Sequence, residues 1–183
     1  MSSLQKFHRR TNGGVPKLPP VDTLVPTYGG DGSGSDTIGY WLGNVGSYKL
    51  RVAPTSTEIR TSWGSYGTAR GTTFVNNGIA NTDTLAAFGE AAHTAAYYAK
   101  NLTTGGYNTW YLPAKKELQT LYSSKAKTPF ATSNSFNGGY HWSSTENGAH
   151  GVWILQMAGG ILNLGNYIKN GNYYVRAVRR SII

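Results

Sequence analysis

The sequence predicts an α+β protein: a domain with two helices and a twisted antiparallel sheet of short strands, carrying an extended N-terminal arm. Three observations predict it. Two stretches, Asp83 to Leu102 and Ala114 to Tyr122, repeat apolar residues at three- and four-residue spacing, the period of a helix with one buried stripe. The region from Tyr140 onward gathers short aromatic and aliphatic runs separated by Gly- and Asn-containing turns, the pattern of short strands. Residues 1 to 36 hold four of the seven prolines and show neither period, so by themselves they have little to offset the entropy of being ordered.

Composition agrees. A chain of 183 residues supports one domain with a core plus an appendage. Only 14% of residues are charged, while glycine reaches 24 and aromatics 13%, which suits a loop-rich, strand-containing protein and not a helical bundle. With 17 Lys and Arg against 8 Asp and Glu, the net charge is +9. That favours solubility or an acidic partner: nucleic acid, anionic polysaccharide or an acidic protein surface. The basic residues cluster at the start (Lys6, Arg9, Arg10, Lys17) and at the end (Arg176, Arg179, Arg180). Cysteine is absent, so no disulfide framework forms. The first ten residues contain no apolar run of signal-peptide length, and the expectation is a protein made, folded and assembled in a cytoplasm.

In chain order, the arm of residues 1 to 36 is expected to dock on a partner through Lys6, Phe7, Arg9, Arg10, Leu18 and Val21; extended, it reaches on the order of 120 Å. The alternative is that Leu18, Val21, Leu24 and Val25 staple it to its own domain. From Thr37 to Phe74, the runs at 38–43, 48–53 and 63–67 read as short strands between irregular loops, and 75–82 as a polar loop with a turn at Asn76-Asn77-Gly78. Asp83 to Leu102 reads as one helix with the stripe Leu85, Phe88, Ala92, Ala95, Ala99 and Leu102, capped by Thr82 or Asp83 and stopped by Gly105-Gly106. Its alanines predict close packing on a sheet. After Pro113, a second helix places Ala114, Glu117, Leu118, Leu121 and Tyr122 on one face. Tyr140 to Thr145, Val152 to Met157, Ile161 to Ile168 and Tyr173 to Arg179 read as strands, with turns at Ala158-Gly159-Gly160 and Asn170-Gly171.

The order Gly-Gly-Tyr-x-x-Trp-x-Leu-Pro-x-x-x-Glu-Leu-x-x-Leu-Tyr from Gly105, then Trp-Ser-Ser-Thr from Trp142, then Val-Arg-Ala-Val-Arg at 175–179, resembles the DUF1566 family, also called the Lcl C-terminal domain. The resemblance extends upstream through Val52-Ala53-Pro54, Trp63-Gly64 and Asn81-Thr82, covering residues 37 to 180. It implies a C-type lectin-like fold, of a kind found in bacterial surface proteins and in tailed-phage virion proteins. It also implies two departures. Many relatives carry cysteines where this chain has Ala99 and Ala177, and Ser or Thr where it has Ala114, which leaves only the Glu117 half of a capping box.

The residues weigh against chemistry that needs cysteine, as in the sulfatase-activating branch of lectin-like proteins. His141, Glu146 and His150 lie within ten residues but match no zinc spacing. Glu58, Asp83, Glu90, Glu117 and Glu146 are scattered, which predicts no essential calcium, no metal and no cofactor. The richer supply is aromatic and amide: Tyr140, His141, Asn147, His150, Asn166, Tyr167, Asn170 and Tyr173 are the candidate ligand-binding residues, flat apolar area joined to paired donors and acceptors. Trp142 and Trp153 read as core, and Asn166, Tyr167, Asn170 and Tyr173 as exposed. The expectation is a non-enzymatic virion protein of a tailed phage, a capsid decoration or fibre-tip protein. Its lectin-like domain faces host-surface glycan or protein, its arm holds other capsid or tail proteins, it forms a homo-oligomer or stands in many copies in an assembly, and it inserts in no membrane. The alternative is a bacterial adhesin for anionic glycans.

Overall fold

A computed structural model describes residues 40–45, 47–125, 135–159 and 162–182, with backbone alone for 40–44, 162–166 and 182. The docking arm, with Lys6, Phe7, Arg9, Arg10, Leu18 and Val21, lies outside the described residues, as do Gly160 and Ile161. The elements are β1 Tyr40–Val45, β2 Tyr48–Val52, a 3-10 turn Thr55–Thr57, β3 Ile59–Thr61, α1 Gly78–Ala86, α2 Thr94–Asn101, α3 Lys115–Ser124, β4 Tyr140–Asn147, β5 Gly151–Gln156, β6 Leu162–Ile168, β7 Tyr173–Val175 and β8 Val178–Ile182. The α+β class stands, but there are three α-helices among the described residues and two sheets, ordered β1-β2-β8 and β3-β7-β4-β5-β6. The larger sheet is mixed, because β4 and β7 run parallel at His141 and Tyr174.

The long helix expected at 83–102 is two helices, and the break has a local cause. Gly89 adopts φ +86°, a conformation that glycine reaches without steric cost and that ends a helix. The first of the pair starts early: Asn77 caps it, its side chain accepting from Ala80 N, so 78–82 is helix and not loop. Thr82 is no cap. It is buried inside α1 and exchanges hydrogen bonds with the Leu112 backbone, at 3.2 Å as donor and 3.0 Å as acceptor. The split leaves Phe88 exposed, while Ala95, Ala96 and Ala99 of α2 share one core cluster with Trp63, Trp142, Val152, Ile154 and Val175. Their small side chains join that core, but the helix lies closest to α1 and not, as expected, close on a sheet. The helix ends at Asn101, and Gly105 and Gly106 form the following turn, bridged by Thr104 and Tyr107.

Two strand readings also change. Residues 63–67 are irregular and the strand lies at 59–61. Tyr173 to Arg179 divides into β7 and β8, which join different sheets: Ile59 pairs with Val175, and Val52 with Val178. At the crossing Arg176 Nε donates to Ala53 O (2.6 Å) and Ala53 N to Ala177 O (2.9 Å). Asn170-Gly171 is therefore a crossover and not a hairpin. Lys169 is drawn inward to Glu146 (2.6 Å), its carbonyl takes the amides of Trp63 and Gly64, and β7 emerges on the far side of β4.

β5 is buried on both faces over most of its length. Because side chains alternate along a strand, Val152 and Ile154 enter one core cluster, while Leu155 joins Leu50, Val52, Leu118, Leu121, Met157 and Val178 in a second under α3. Ala99 and Ala177, where the resemblance implies cysteines in other members, are both fully buried in the first cluster.

Candidate functional site

Three of the five scattered carboxylates are internal hubs. Glu58 accepts from the His141 ring and from Arg176 Nη1, both at 3.1 Å, and from Asn137. Burial pushes its carboxyl up, but His141, Asn137 and Arg176 together hold it below the usual range. Glu117 accepts from Ala114 N (2.7 Å), Gly78 N (3.2 Å), Tyr111 Oη (2.8 Å) and Arg180 (2.7 Å). This is the surviving half of the capping box. Thr145 Oγ1 of β4 accepts from Lys115 N at 3.0 Å, replacing the hydroxyl that Ala114 lacks. Gly78 is required there, since a Cβ would meet Glu117 Oε2 at 2.5 Å. Burial, followed by the Glu117 charge, raises the Tyr111 phenol well above its ordinary value.

Glu146 organises the third hub, and this one shapes a surface. Its carboxylate accepts from Lys169 Nζ (2.6 Å), Arg70 N (2.9 Å) and Thr72 N (3.1 Å), and Lys169 also donates to Thr68 O (2.7 Å). Burial opposes ionisation, but these donors hold the Glu146 carboxyl low. His93, fully buried, accepts at Nε2 from Arg70 Nε (3.1 Å) and meets the Trp63 ring edge-on at 5.2 Å. Burial, with the positive charges of Arg70 and Lys169, lowers its pKa to about 4. The irregular segment from Trp63 to Asn77 is thus pinned from beneath.

Next in the chain to Glu146 and Lys169, Asn147 and Ile168 help line a cleft of about 460 Å³ with Tyr66, Gly148, Ala149, His150 and Gly151. The rings of Tyr66 and His150 stand 4.7 Å apart, tilted by 52°, with Tyr66 and Ile168 about half exposed. Flat rings beside an amide suit a ring-shaped polar ligand.

The sequence-predicted residues fall into separate groups. Asn147 and His150 line the cleft. Tyr140, Tyr167 and Tyr173 make a mutual aromatic triad with centroids 4.9 to 5.8 Å apart, half-buried against the core rather than freely exposed. Asn170 is exposed, and the side chain of Asn166 lies outside the described residues. His141 is fully buried on Glu58 and stacks on Tyr174, so His141, Glu146 and His150 do not converge. No group of three metal-ligating side chains occurs among the described residues. Trp142 is core as expected, whereas Trp153 is half-buried. Arg176 and Arg179 are buried, the latter with its guanidinium 3.6 Å from the Tyr107 ring centre, so the C-terminal basic cluster is mostly internal. Tyr66, Ile168 and Lys169 were missed. They come from a segment read as a strand and from a turn read as a hairpin, and nothing local marks them.

Residues 54–179 match the Lcl C-terminal domain family. The chain belongs to this family. The match starts later than the sequence resemblance suggested, leaving β1 and β2 ahead of it and ending within β8. No curated protein matches the chain. Among solved structures it is similar to a fimbrial protein from Bacteroides ovatus ATCC 8483, with a TM-score of 0.51 and 13% identity, over 71% of this chain and 35% of that one. The chain thus spans about a third of that protein's length, and the likeness is one of fold. In this Lcl C-terminal domain the cleft and all three carboxylate hubs lie within the matched residues, apart from Arg180, which pairs with Glu117 from just beyond them.

Proposed function

We propose that this Lcl C-terminal domain is a non-enzymatic recognition module with a C-type lectin-like fold, displayed on an assembled particle and binding glycan in the Tyr66–His150 cleft. The observation that carries the reading is the cleft itself: two adjoining rings beside Asn147, with the buried Glu146–Lys169 pair next in the chain to Asn147 and Ile168. The buried carboxylates support a binding role over acid–base chemistry, because Glu58, Glu117 and Glu146 each already accept several donors. A glycan array tests this. The wild-type chain gives a defined set of ligands, and Tyr66→Ala with His150→Ala loses them; equal binding by the double variant overturns the reading.

The particle we favour is a tailed-phage virion, with residues 1–36 as the tether and the module facing the host surface. The family resemblance supports it. Deleting residues 2–30 then leaves a folded domain that no longer joins the particle, and retained incorporation rejects the tether. The second reading, a bacterial adhesin, is favoured by the likeness to a fimbrial protein.

A further inference from the structure

The loop that carries Tyr66 to the cleft closes over a histidine. His93, fully buried at the start of α2, meets the Trp63 ring edge-on at 5.2 Å and the Phe88 ring at 5.8 Å. The Arg70 guanidinium lies 4.0 Å over the Phe88 ring and donates from Nε to His93 Nε2 (3.1 Å). A guanidinium only donates, so Nε2 carries no hydrogen and the ring proton sits on Nδ1. That nitrogen has no acceptor among the described residues and lies against Gly64, where a Cβ would stand 2.2 Å away. Beside it Ser65 is tied down, its N and Oγ both donating to Ala92 O (2.8 and 3.2 Å).

The closed loop has no room for a second proton on this ring. Placed on Nε2, it would face the Arg70 N–H, donor against donor and cation against cation. The charged groups facing His93 are Arg70 from the loop, Lys169 from just after β6 and Glu146 from β4, while Trp63 and Phe88 present only their rings. Glu146 is the anion among them, but it already accepts from Lys169 Nζ, Arg70 N and Thr72 N. Those donors hold its carboxyl low, so His93 changes charge before Glu146 as pH falls. Burial, then Arg70 and Lys169, holds the closed-state pKa of His93 at about 4 against 6.5. Lifting the loop takes Arg70 away and lets water reach the ring, which restores the ordinary value. Between these two values the open loop binds more protons than the closed one, so falling pH favours opening, by up to about tenfold per pH unit.

We propose that residues 64–73 are an acid-released latch on the Tyr66–His150 cleft. Proton uptake by His93 expels Arg70, frees the loop and takes Tyr66 out of the cleft, so a ligand is held near neutral pH and shed in acid. The release stands on the loop's own geometry; that the ligand is a glycan rests on the reading given above. Hydrogen exchange of the full-length chain, expressed as protection factors from pH 6.5 down toward 4, reads the latch with no ligand present. Protection of residues 64–73 lies below that of β5 and falls by up to about tenfold per pH unit. His93→Gln, whose amide oxygen still accepts from Arg70 but does not titrate, removes that slope. Arg70→Gln keeps the backbone amide that Glu146 takes and removes the nearest positive charge, so the fall levels off at a higher pH. A loop whose protection is flat with pH in the wild-type chain overturns the proposal, as does a slope that persists in His93→Gln or loop amides that exchange only together with β5. The glycan array, repeated at the two ends of the pH range, separates the two readings: wild-type signals fade in acid, and those of His93→Gln persist. If protection falls with pH while no glycan binds at either end, the acid-released loop stands and the glycan reading fails. If glycans bind equally at both ends, the glycan reading survives and the latch falls.

Discussion

Glu117 and Glu146 are both buried carboxylates paired with a cation, yet they do different things. Glu117 ties together the start of α3, the start of α1 and β8, so its partners are regular elements already packed in the two core clusters. Glu146 collects backbone amides at Arg70 and Thr72 in an irregular loop, and the ordering of that loop positions Tyr66 at the cleft. The same interaction serves the fold in one place and the site in the other. What differs is how much independent packing the partners have. A helix start held over a core tolerates little change before the whole domain feels it, whereas a loop held mainly by polar bonds opens locally.

The largest test of that contrast is Glu117→Ala, which strands Arg180, Tyr111 and two backbone amides. It is expected to cost about 3–5 kcal/mol, seen as a lowered urea midpoint, with exchange protection falling across the domain. Glu146→Gln keeps one acceptor and is expected to cost about 2–3 kcal/mol. Its hydrogen-exchange loss is confined to residues 64–73; a uniform loss would erase the distinction between the two hubs. Ala95→Leu overpacks the contact of α2 with the first core cluster and lowers stability by about 1–3 kcal/mol, and an unchanged melting curve would remove that helix from the core. His93 supplies a pH signature. With a folded pKa of about 4 against 6.5 unfolded, the unfolded chain binds more protons between those values, so stability rises with pH. His93's contribution, about 3 kcal/mol, is complete above pH 6.5 and is lost as pH falls toward 4. His93→Gln flattens that slope. Smallest is Tyr66→Ala, within about 0.5 kcal/mol in stability while removing glycan binding, the behaviour of a site residue outside the core.

Much of the fold was legible because periodicity reports burial. Leu118 and Leu121 on α3, the alanines of α2 and the apolar run of β5 were read correctly, since each faces a core that demands one residue type at one spacing. The continuous helix over 83–102 failed at Gly89, where a positive φ outranked a stripe that happened to continue through Phe88. Asn170-Gly171 failed for a different reason. Local turn preference cannot register that Lys169 is held 2.6 Å from Glu146, 23 residues away in sequence. The site was half legible: Asn147 and His150 lie on a hairpin, but Tyr66 reaches them from a loop whose course depends on Glu146, Lys169 and His93.

By itself the sequence determined the α+β class, the family, the cysteine-free core and the excess of positive charge, all of which follow from residue type and local spacing. Only the tertiary structure decided which charges are internal and which face solvent. Arg176, Arg179 and Lys169 read in sequence like Lys115 and Lys116, yet the first three are buried and the last two meet water. The reason is that the free energy of a charge is set by the partners and solvent around it, and those are brought together by chain segments tens of residues apart.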